Sequence, residues 1–415
     1  MLKYIFTIAS AVLVLNTAQA QKEVKTVTNT PAQQLIANTG EDSMNTYGAT
    51  HSRTVISGYG EIYYQRDFNA GQSTIDVKRA VLFVGHQFTG KIAFFSELEV
   101  EDAKVEGGGA TGEVGMEQAY LKFSLNPRQY IVAGLFIPRI GIVNENHLPI
   151  NFNGVERPLV EQMVIPSTWR EIGVGFYGQT TALPLTYSVA LVNGLNNAGF
   201  EHGSGIHGGR QEGQLAGANN LAVTAAIQYF AGNWKFQVSG YYGGTTTLSK
   251  TGADSLHIDG GMFGTPLILA EADVQYANKG ITFKALGCNI NIPDALNINR
   301  VYNNNTPTQI YGAYAELGYN VLQMAKKDKW KSKLLNVFAR YEQMDLNASI
   351  PVNGVNDNNQ NQTHVVAGLC YLPIPHFVVK ADYRIYQAEA NSNLTLGLTG
   401  KPQNTYLSIG IGYSF

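Results

Sequence analysis

The sequence predicts an all-β fold, a transmembrane antiparallel β-barrel of about 16 strands. Three observations support this prediction. The chain contains about sixteen segments of roughly ten residues in which apolar and polar side chains alternate, the length expected of a strand that crosses a bilayer. The connections between these segments are alternately tight and long. The final segment alternates strictly and ends on an aromatic residue, as the closing strand of a barrel would.

The final segment, residues 405–415, shows the alternation most clearly. Its bulky apolar residues alternate with small or polar ones: Leu407, Ile409, Ile411, Tyr413 and Phe415 against Ser408, Gly410, Gly412 and Ser414. A period of two places one face in hydrocarbon and the other against water or a packed interior. Unpaired backbone groups in lipid cost several kcal/mol each, so we expect this strand to pair with the first one.

Composition favours one large membrane β-protein. Charged residues make up only 14% of the 415 residues, while Gly (44) and Tyr (23) are abundant. The mean hydropathy is −0.10, and no apolar run of about 20 residues follows the N-terminal segment, which argues against a helical membrane protein. A formal net charge of −2 gives no support for nucleic-acid binding.

Three regions are predicted along the chain. Residues 1–20 resemble a signal peptide, with Lys3, an apolar stretch and a small-residue cleavage site near Ala20. Residues 21–52 lack periodicity and are expected to form a flexible periplasmic leader. Residues 53–415 form the barrel, whose strands we predict as follows: 55–65, 77–88, 91–103, 116–125, 130–138, 170–179, 185–193, 220–230, 234–245, 268–278, 281–292, 309–322, 334–346, 363–372, 377–388 and 404–415.

The polar faces of these strands predict a mixed-charge lumen. A charge facing lipid near the midplane would cost about 2–4 kcal/mol, so charged residues should point inward. The predicted lumen-lining residues are Arg79, Glu97, Glu99, Glu101, Lys122, Glu271, Asp273, Lys284, Arg340, Glu342, Lys380, Asp382 and Arg384. A turn centred on Thr89-Gly90 would place Arg79 directly across from Glu99.

The connection 139–169 is long and too apolar for a loop in solvent. A loop of this length is functional or disordered, and its composition argues against disorder. We therefore expect it to fold into the lumen and narrow the pore; an ordered surface lid is the alternative.

Three motifs bracket this loop. They are Gly134-Leu-Phe136-Ile-Pro138-Arg-Ile-Gly141, Glu156-Arg157-Pro158 and Arg170-Glu-Ile-Gly173-Val-Gly. Together they resemble the phosphate-selective porin O and P family, in particular its Bacteroidetes porins. The resemblance implies a sixteen-stranded homotrimeric porin whose third loop constricts the pore. It also implies that Arg139, Glu156, Arg157 and Arg170 belong to the constriction and that the arginines attract anions. The acidic residues of the predicted lumen depart from the basic ladder of anion-selective members.

The predicted function is passive diffusion of small hydrophilic solutes and ions, anions such as phosphate among them, across the outer membrane of a Gram-negative bacterium. The expected partners are outer-membrane lipid and lipopolysaccharide, the solutes themselves and two further copies of the chain. No catalytic residue and no cofactor is predicted. A barrel that serves as a scaffold or adhesin through loops 194–219 and 246–267 is the alternative.

No metal site is predicted either, because His86, His147, His364 and His376 lie on different segments without metal-ligand spacing. Cys288 and Cys370 would lie three strands apart, roughly 14 Å at the usual strand spacing, beyond the reach of a disulfide.

Overall fold

The fold is a single closed β-barrel of sixteen antiparallel strands, seen in a computed structural model that describes residues 29–36, 53–103, 112–324, 330, 333–356, 358–389 and 403–415. In chain order, β1 to β16 are Arg53–Asp67, Gln72–Gln87, Ile92–Glu101, Glu113–Asn126, Gln129–Phe136, Glu171–Gln179, Leu185–Asn193, Leu221–Ala231, Trp234–Gly244, Pro266–Asn278, Ile281–Asn291, Gln309–Asn320, Leu334–Ser349, Asn361–Ile374, Phe377–Ala388 and Gln403–Ser414. The predicted fold class is confirmed, and β7 and β15 have the predicted bounds.

Closure is achieved as the terminal segment predicts. Strand β16 pairs antiparallel with both β15 and β1, so no strand edge is left open. The outward side chains of β16 are apolar and about 40% exposed, for example Ile409 at 45% and Ile411 at 42%, while Ser408 and Ser414 are buried. The same alternation around the ring produces a barrel with an apolar outer surface.

The connections at one end of the barrel are short, and most of those at the other end are long. Pairs of strands meet through residues 127–128, 232–233, 279–280 and 375–376 at the first end. Residues 137–170, 194–220 and 245–265 connect strands at the second end. The long end carries the short helices Lys250–Ser255 (α2) and Ala295–Tyr302 (α3). Among the described residues, no helix is long and apolar enough to cross a membrane.

Single 3-10 turns complete the regular structure, at Pro149–Asn151, Asn197–Gly199, His207–Gly209, Val321–Met324 and Asn358–Gln360, with one π-helical turn at Val160–Val164. Cys288 and Cys370 lie on β11 and β14, three strands apart, and both are free thiols.

One segment within the expected leader forms regular structure and contacts the barrel. Residues Pro31–Ile36 form a helix, α1, that packs against β1, β2 and β3. Ala32 is fully buried, and its backbone N–H donates to the hydroxyl of Ser57 at 3.1 Å. Ala32 lies in one apolar cluster with Phe83 and Phe95, so a small helix covers inward-facing aromatic side chains near the short turns. Residues 1–28 and 37–52 lie outside the described part of the chain.

The register of the β2–β3 hairpin differs by two residues from the prediction. Arg79 lies opposite Glu101, and Glu99 lies opposite Val81, because residues 88–91 form the connection rather than Thr89-Gly90 alone. A shift of two residues keeps every side chain on its predicted face. Arg79 therefore still reaches Glu99, now diagonally, with 3.0 Å between Nη1 and Oε1.

Candidate pore

Residues 137–170, here called loop L3, lie against the inner face of the barrel. Apolar side chains of L3 pack in one cluster with inward-facing residues of β10 to β12: Ile140, Ile142, Val160 and Val164 from the loop, with Leu267, Leu269, Leu286 and Ile310 from the wall. All eight are less than 5% exposed. Burial of apolar surface stabilises this packing of the loop on the wall, by about 25 cal/mol for each Å² removed from water.

Charged residues of the wall bind the backbone of L3. The carboxylate of Glu342 accepts a hydrogen bond from the N–H of Val160 at 3.0 Å, and Asp382 accepts one from Val155 at 2.6 Å. Between them, Arg340 pairs with Glu342 at 2.8 Å and with Glu316 at 3.1 Å. A buried loop carries backbone groups that need partners, and these strand residues supply them.

A buried carboxylate stabilises the sharpest bend of L3. Glu161 accepts hydrogen bonds from the backbone of Ile142 and Val143 at 2.8 and 2.6 Å, and from the hydroxyl of Tyr314 at 2.6 Å. Gly141 has a positive φ of 75°, and a Cβ there would lie 2.7 Å from the Glu161 carboxylate. Burial raises the pKa of Glu161 to about 7, although its three donors oppose the shift.

The small residues of β16 have a packing role on the inner face. A Cβ on Gly412 would come within 2.6 Å of Pro149, and one on Gly410 within 3.0 Å of Val155. The alternation read from the terminal segment thus reflects two different contacts, lipid outside and L3 inside.

A cavity of about 590 Å³ remains between L3 and the strands β16, β1, β2 and β3. Six basic and six acidic residues line it: Lys78, Arg79, Arg157, Arg170, Arg210 and Lys380 against Glu61, Glu99, Glu101, Glu113, Glu156 and Glu212. His207 also lines it, and burial together with Arg210 lowers its pKa to about 4, so it is neutral at neutral pH. The cavity is therefore large enough to hold water, and its lining carries charges of both signs.

Two of these cations have no carboxylate partner among the described residues. The guanidinium of Arg157 reaches only the carbonyl of His147, at 3.5 Å, and its Nε has no partner. The ammonium of Lys380 donates to the carbonyl of Gly154 at 2.8 Å and lies 3.6 Å from the ring centre of Phe152. The other four basic residues pair with glutamates. Arg157 on L3 and Lys380 on β15 are thus the two cavity cations whose charge is not paired in this way.

The four predicted constriction residues separate into two groups. Glu156, Arg157 and Arg170 all line the cavity. Arg139 does not; it pairs with Glu145 at 2.7 Å and lies over the ring of Tyr177, and its place in the constriction stays a prediction. Glu156 binds Arg384 at 2.8 Å, across the gap between loop and wall.

The thirteen predicted lumen residues all lie on the inner face, but they do not share one environment. Arg79, Glu99, Glu101 and Lys380 border the cavity. Others contact L3 instead: Glu97, Lys284, Arg340, Glu342, Asp382 and Arg384 are within bonding distance of the loop or of a residue that binds it. Lys122 lies over Tyr130, and Glu271 accepts from Ser239, beside Asp273. These inward-facing residues therefore divide into a group that borders the cavity and a group that contacts L3 or other wall residues.

Sequence reasoning missed Glu117. A β-bulge places Glu97 opposite Gln118 but Leu98 opposite Met116, so Glu117 is an extra residue that points inward. The signal was present in the apolar residues of β4. Outward-facing side chains occupy even positions at Val114 and Met116 and odd positions at Leu121 and Leu125, a change of phase that requires an inserted residue.

Comparisons with solved structures show the fold. The barrel is similar to OmpF of Salmonella typhi, solved with Daunomycin (TM-score 0.55, 13% identity, 89% of this chain and 98% of that one). It is similar to the outer membrane channel DcaP of Acinetobacter baumannii (TM-score 0.53, 11% identity, 89% and 99%). It is also similar to a loop-deletion mutant of OmpT, an outer membrane protein of Vibrio cholerae (TM-score 0.52, 11% identity, 88% and 99%).

Comparison of sequences gives one relative. No family model matches the chain, so none supports the phosphate-selective porin O and P family in particular. An uncharacterized protein of Aquifex aeolicus (strain VF5) is 31% identical over 341 residues, which span 79% of this chain and 74% of that protein. The chain has the sixteen-stranded fold of outer-membrane channels and belongs to the same family as this Aquifex aeolicus protein.

Proposed function

We propose that the protein is a porin that lets small hydrophilic solutes and ions diffuse passively across the outer membrane of a Gram-negative bacterium. The observation that carries the proposal is the cavity between L3 and the wall, lined by six basic and six acidic side chains inside a closed barrel with an apolar exterior. A barrel whose interior was filled by packed side chains would not place so many charged residues of both signs around one cavity.

We further propose that the passage favours small anions, phosphate among them. Support comes from Arg157 and Lys380, whose charges no described carboxylate neutralises, and from the resemblance of the Glu156-Arg157-Pro158 motif to phosphate-selective porins. A charge in a narrow, partly desolvated passage interacts at an effective dielectric near 20. At 4 Å this corresponds to about 4 kcal/mol, against about 1 kcal/mol in bulk water.

Measurement of the reversal potential in a salt gradient tests both statements. The purified protein should conduct in a planar bilayer, and Arg157→Ala should keep the conductance while shifting the reversal potential toward cations. Arg128→Ala is the matched control, since Arg128 is exposed in a two-residue turn at the far end of the barrel and carries the same charge.

Two outcomes would contradict the proposals separately. A protein that inserts but passes no current would exclude the porin and favour a scaffold or adhesin that acts through its long loops. A reversal potential unchanged in Arg157→Ala, with normal conductance, would leave the porin intact and remove Arg157 from selectivity. We also infer that the protein has no enzymatic activity, and an assay for detergent-activated lipid hydrolysis would reveal one.

The cellular setting is part of the same proposal. We infer export with cleavage of a signal peptide near Ala20, insertion among outer-membrane lipid and lipopolysaccharide, and assembly of three copies. The family resemblance supports the trimer. The mass of the detergent complex, measured by light scattering, should equal three chains, and a mass of one chain would exclude it.

A further inference from the structure

Three potential metal-ligand side chains meet where L3 touches β3 and β4. The Nε2 of His147 lies 3.0 Å from Oε1 of Glu97 and 3.9 Å from Oε2 of Glu117. One ligand atom from each residue lies within 4.8 Å of the other two, and all three side chains are at most 1% exposed. Two ligands on a tetrahedral zinc ion at the usual bond lengths of 2.0–2.2 Å lie about 3.4 Å apart, so one ion fits this triangle.

The surroundings of His147 present Nε2 as a ligand atom. Its Nδ1 is 2.9 Å from the carbonyl oxygen of Asn144, which only accepts, so Nδ1 carries a proton. Asn144 is itself held by the carbonyl of Pro138 and by the N–H of Trp169. A histidine that donates through one nitrogen to a fixed carbonyl is the usual arrangement behind a metal-binding nitrogen. In the neutral ring, Nε2 then directs a lone pair at a carboxylate, and a proton or a metal ion between the two atoms makes this contact favourable.

The carboxylates of Glu97 and Glu117 differ in their hydrogen bonding. Oε2 of Glu97 accepts from the side-chain amide of Gln118 at 2.6 Å, which leaves Oε1 directed at His147. Both carboxylate oxygens of Glu117 are buried and accept no hydrogen bond of good geometry, although Thr168, Glu97 and Glu99 lie beside them. The nearest cation, Arg170, is 4.0 Å away and also binds Glu212 at 3.2 Å. A buried carboxylate without partners is expensive unless it is paired or coordinates a metal.

We propose that Glu97, Glu117 and His147 bind one divalent transition-metal ion of the zinc type, which ties L3 to the barrel wall. One imidazole nitrogen and two carboxylate oxygens are ligands that Zn²⁺ accepts, with water in the fourth position. Two carboxylates and one divalent ion balance in charge, so the buried cluster is neutral. Residues adjacent to the cluster, Glu99, Thr168 and Arg170, border the cavity and provide a path of entry.

The β-bulge supports the assignment. Continued in the phase of Leu121 and Leu125, position 117 would face outward; the bulge instead turns Glu117 to the inner side, where Gln118 also binds Glu97. Bulges occur beside functional sites, where they redirect a side chain. Here the redirected side chain is the one whose oxygens accept no hydrogen bond of good geometry.

Zinc content and thermal stability test the proposal without reference to conductance. The folded barrel in detergent is stripped with EDTA, equilibrated with Zn²⁺, dialysed and analysed by plasma mass spectrometry. We expect about one zinc per chain and a higher Tm with Zn²⁺ than with EDTA. Glu117→Gln should lower the zinc affinity at least as much as loss of an outer-shell partner does, about 10- to 100-fold, and abolish the Tm response.

Glu117→Gln is expected to fold, because the carboxylate it replaces accepts no hydrogen bond of good geometry. His147→Gln is the second ligand variant and should lose zinc as well. Glu113→Gln is the matched control: it lies on the same strand, is exposed, and should keep wild-type zinc binding. A wild-type barrel that retains no stoichiometric zinc, or a Glu117→Gln variant that binds zinc as the wild type does, overturns the proposal and leaves the cluster as an imidazolium–carboxylate contact.

Discussion

The inner wall of this barrel has two halves that differ in what covers them. Charged residues of β1 to β4, such as Glu61, Arg79 and Glu101, border the cavity. Charged residues of β12 to β15, such as Arg340 and Glu342, are covered by L3 and bind its backbone or one another, whereas Lys380 on β15 borders the cavity. Both halves show the same alternation of charged and apolar residues, and both point their charges inward.

This comparison indicates that inward-facing charged residues of a large barrel have two distinct roles. Where L3 leaves a gap, the charged residues border the cavity and pair with one another, as Arg79 does with Glu61 and Glu99. Where L3 is docked, they satisfy a buried backbone, as the carboxylates of Glu342 and Asp382 do for Val160 and Val155. Removing a charge should therefore change selectivity on one half and loop position or stability on the other.

The largest effect expected from this comparison is on stability. Arg340→Ala would leave Glu316 and Glu342 buried without their cation, and breaking such a buried pair costs about 3–5 kcal/mol. Arg79→Ala, the same change on the cavity half, should cost clearly less, because its partner Glu61 borders the cavity and is partly exposed, so that water can replace the lost cation there. Urea unfolding of both variants in detergent measures the difference in free energy of unfolding. Equal losses would mean that the two halves do not differ in the way described.

The next largest expected effect is a dependence of stability on pH, which arises on the half of the wall that L3 covers. The pKa of Glu161 is about 7 in the folded chain against an ordinary 4.5, so the folded state binds this proton more tightly than the unfolded state. Stability should be complete below about pH 4.5 and decline as pH rises through 7, by about 3 kcal/mol in total at about 1.4 kcal/mol per unit. Burial is the main cause; nearby Asp273 adds to the shift, while Tyr314 and the loop N–H groups oppose it.

Thermal unfolding between about pH 5 and pH 8 measures this decline. Glu161→Gln keeps an oxygen acceptor for the loop N–H groups and has no proton to lose, so its midpoint should vary less with pH than that of the wild type. Glu156→Gln, on the same loop but facing the cavity, is the control and should retain the wild-type slope. If Glu161→Gln keeps the full slope, the dependence comes from another group.

The smallest expected effect concerns the register between β2 and β3, on the half of the wall that borders the cavity. Cysteines at positions 79 and 101 should cross-link on mild oxidation, because directly opposite residues have Cβ atoms about 4.5–5.5 Å apart. The diagonal pair 79 and 99 lies about 7–8 Å apart and should link more slowly. Gel mobility after oxidation compares the two pairs. Faster linkage of 79 with 99 would support the register predicted from the sequence, in which Arg79 lies directly opposite Glu99.

The sequence by itself determined the barrel, its strands and the facing of their side chains. Strands alternate with period two whatever lies far away in the chain, and lipid penalises both open edges and outward charges. Local pattern was therefore sufficient to place β7 and β15 to the residue and to put Arg340, Asp382 and the other predicted lumen residues on the inner face.

Only the tertiary structure decided what each inward residue touches. L3 meets strands far along the chain, as when the N–H of Val155 donates to Asp382, 227 residues away, and no local period encodes such a pairing. Two other contacts depend in the same way on how the folded segments pack together. They are the hydrogen bond between Ala32 and Ser57 and the ion pair between Arg139 and Glu145. The site of Glu97, Glu117 and His147 needed both kinds of information, because a bulge in one strand and the path of a loop bring its members together.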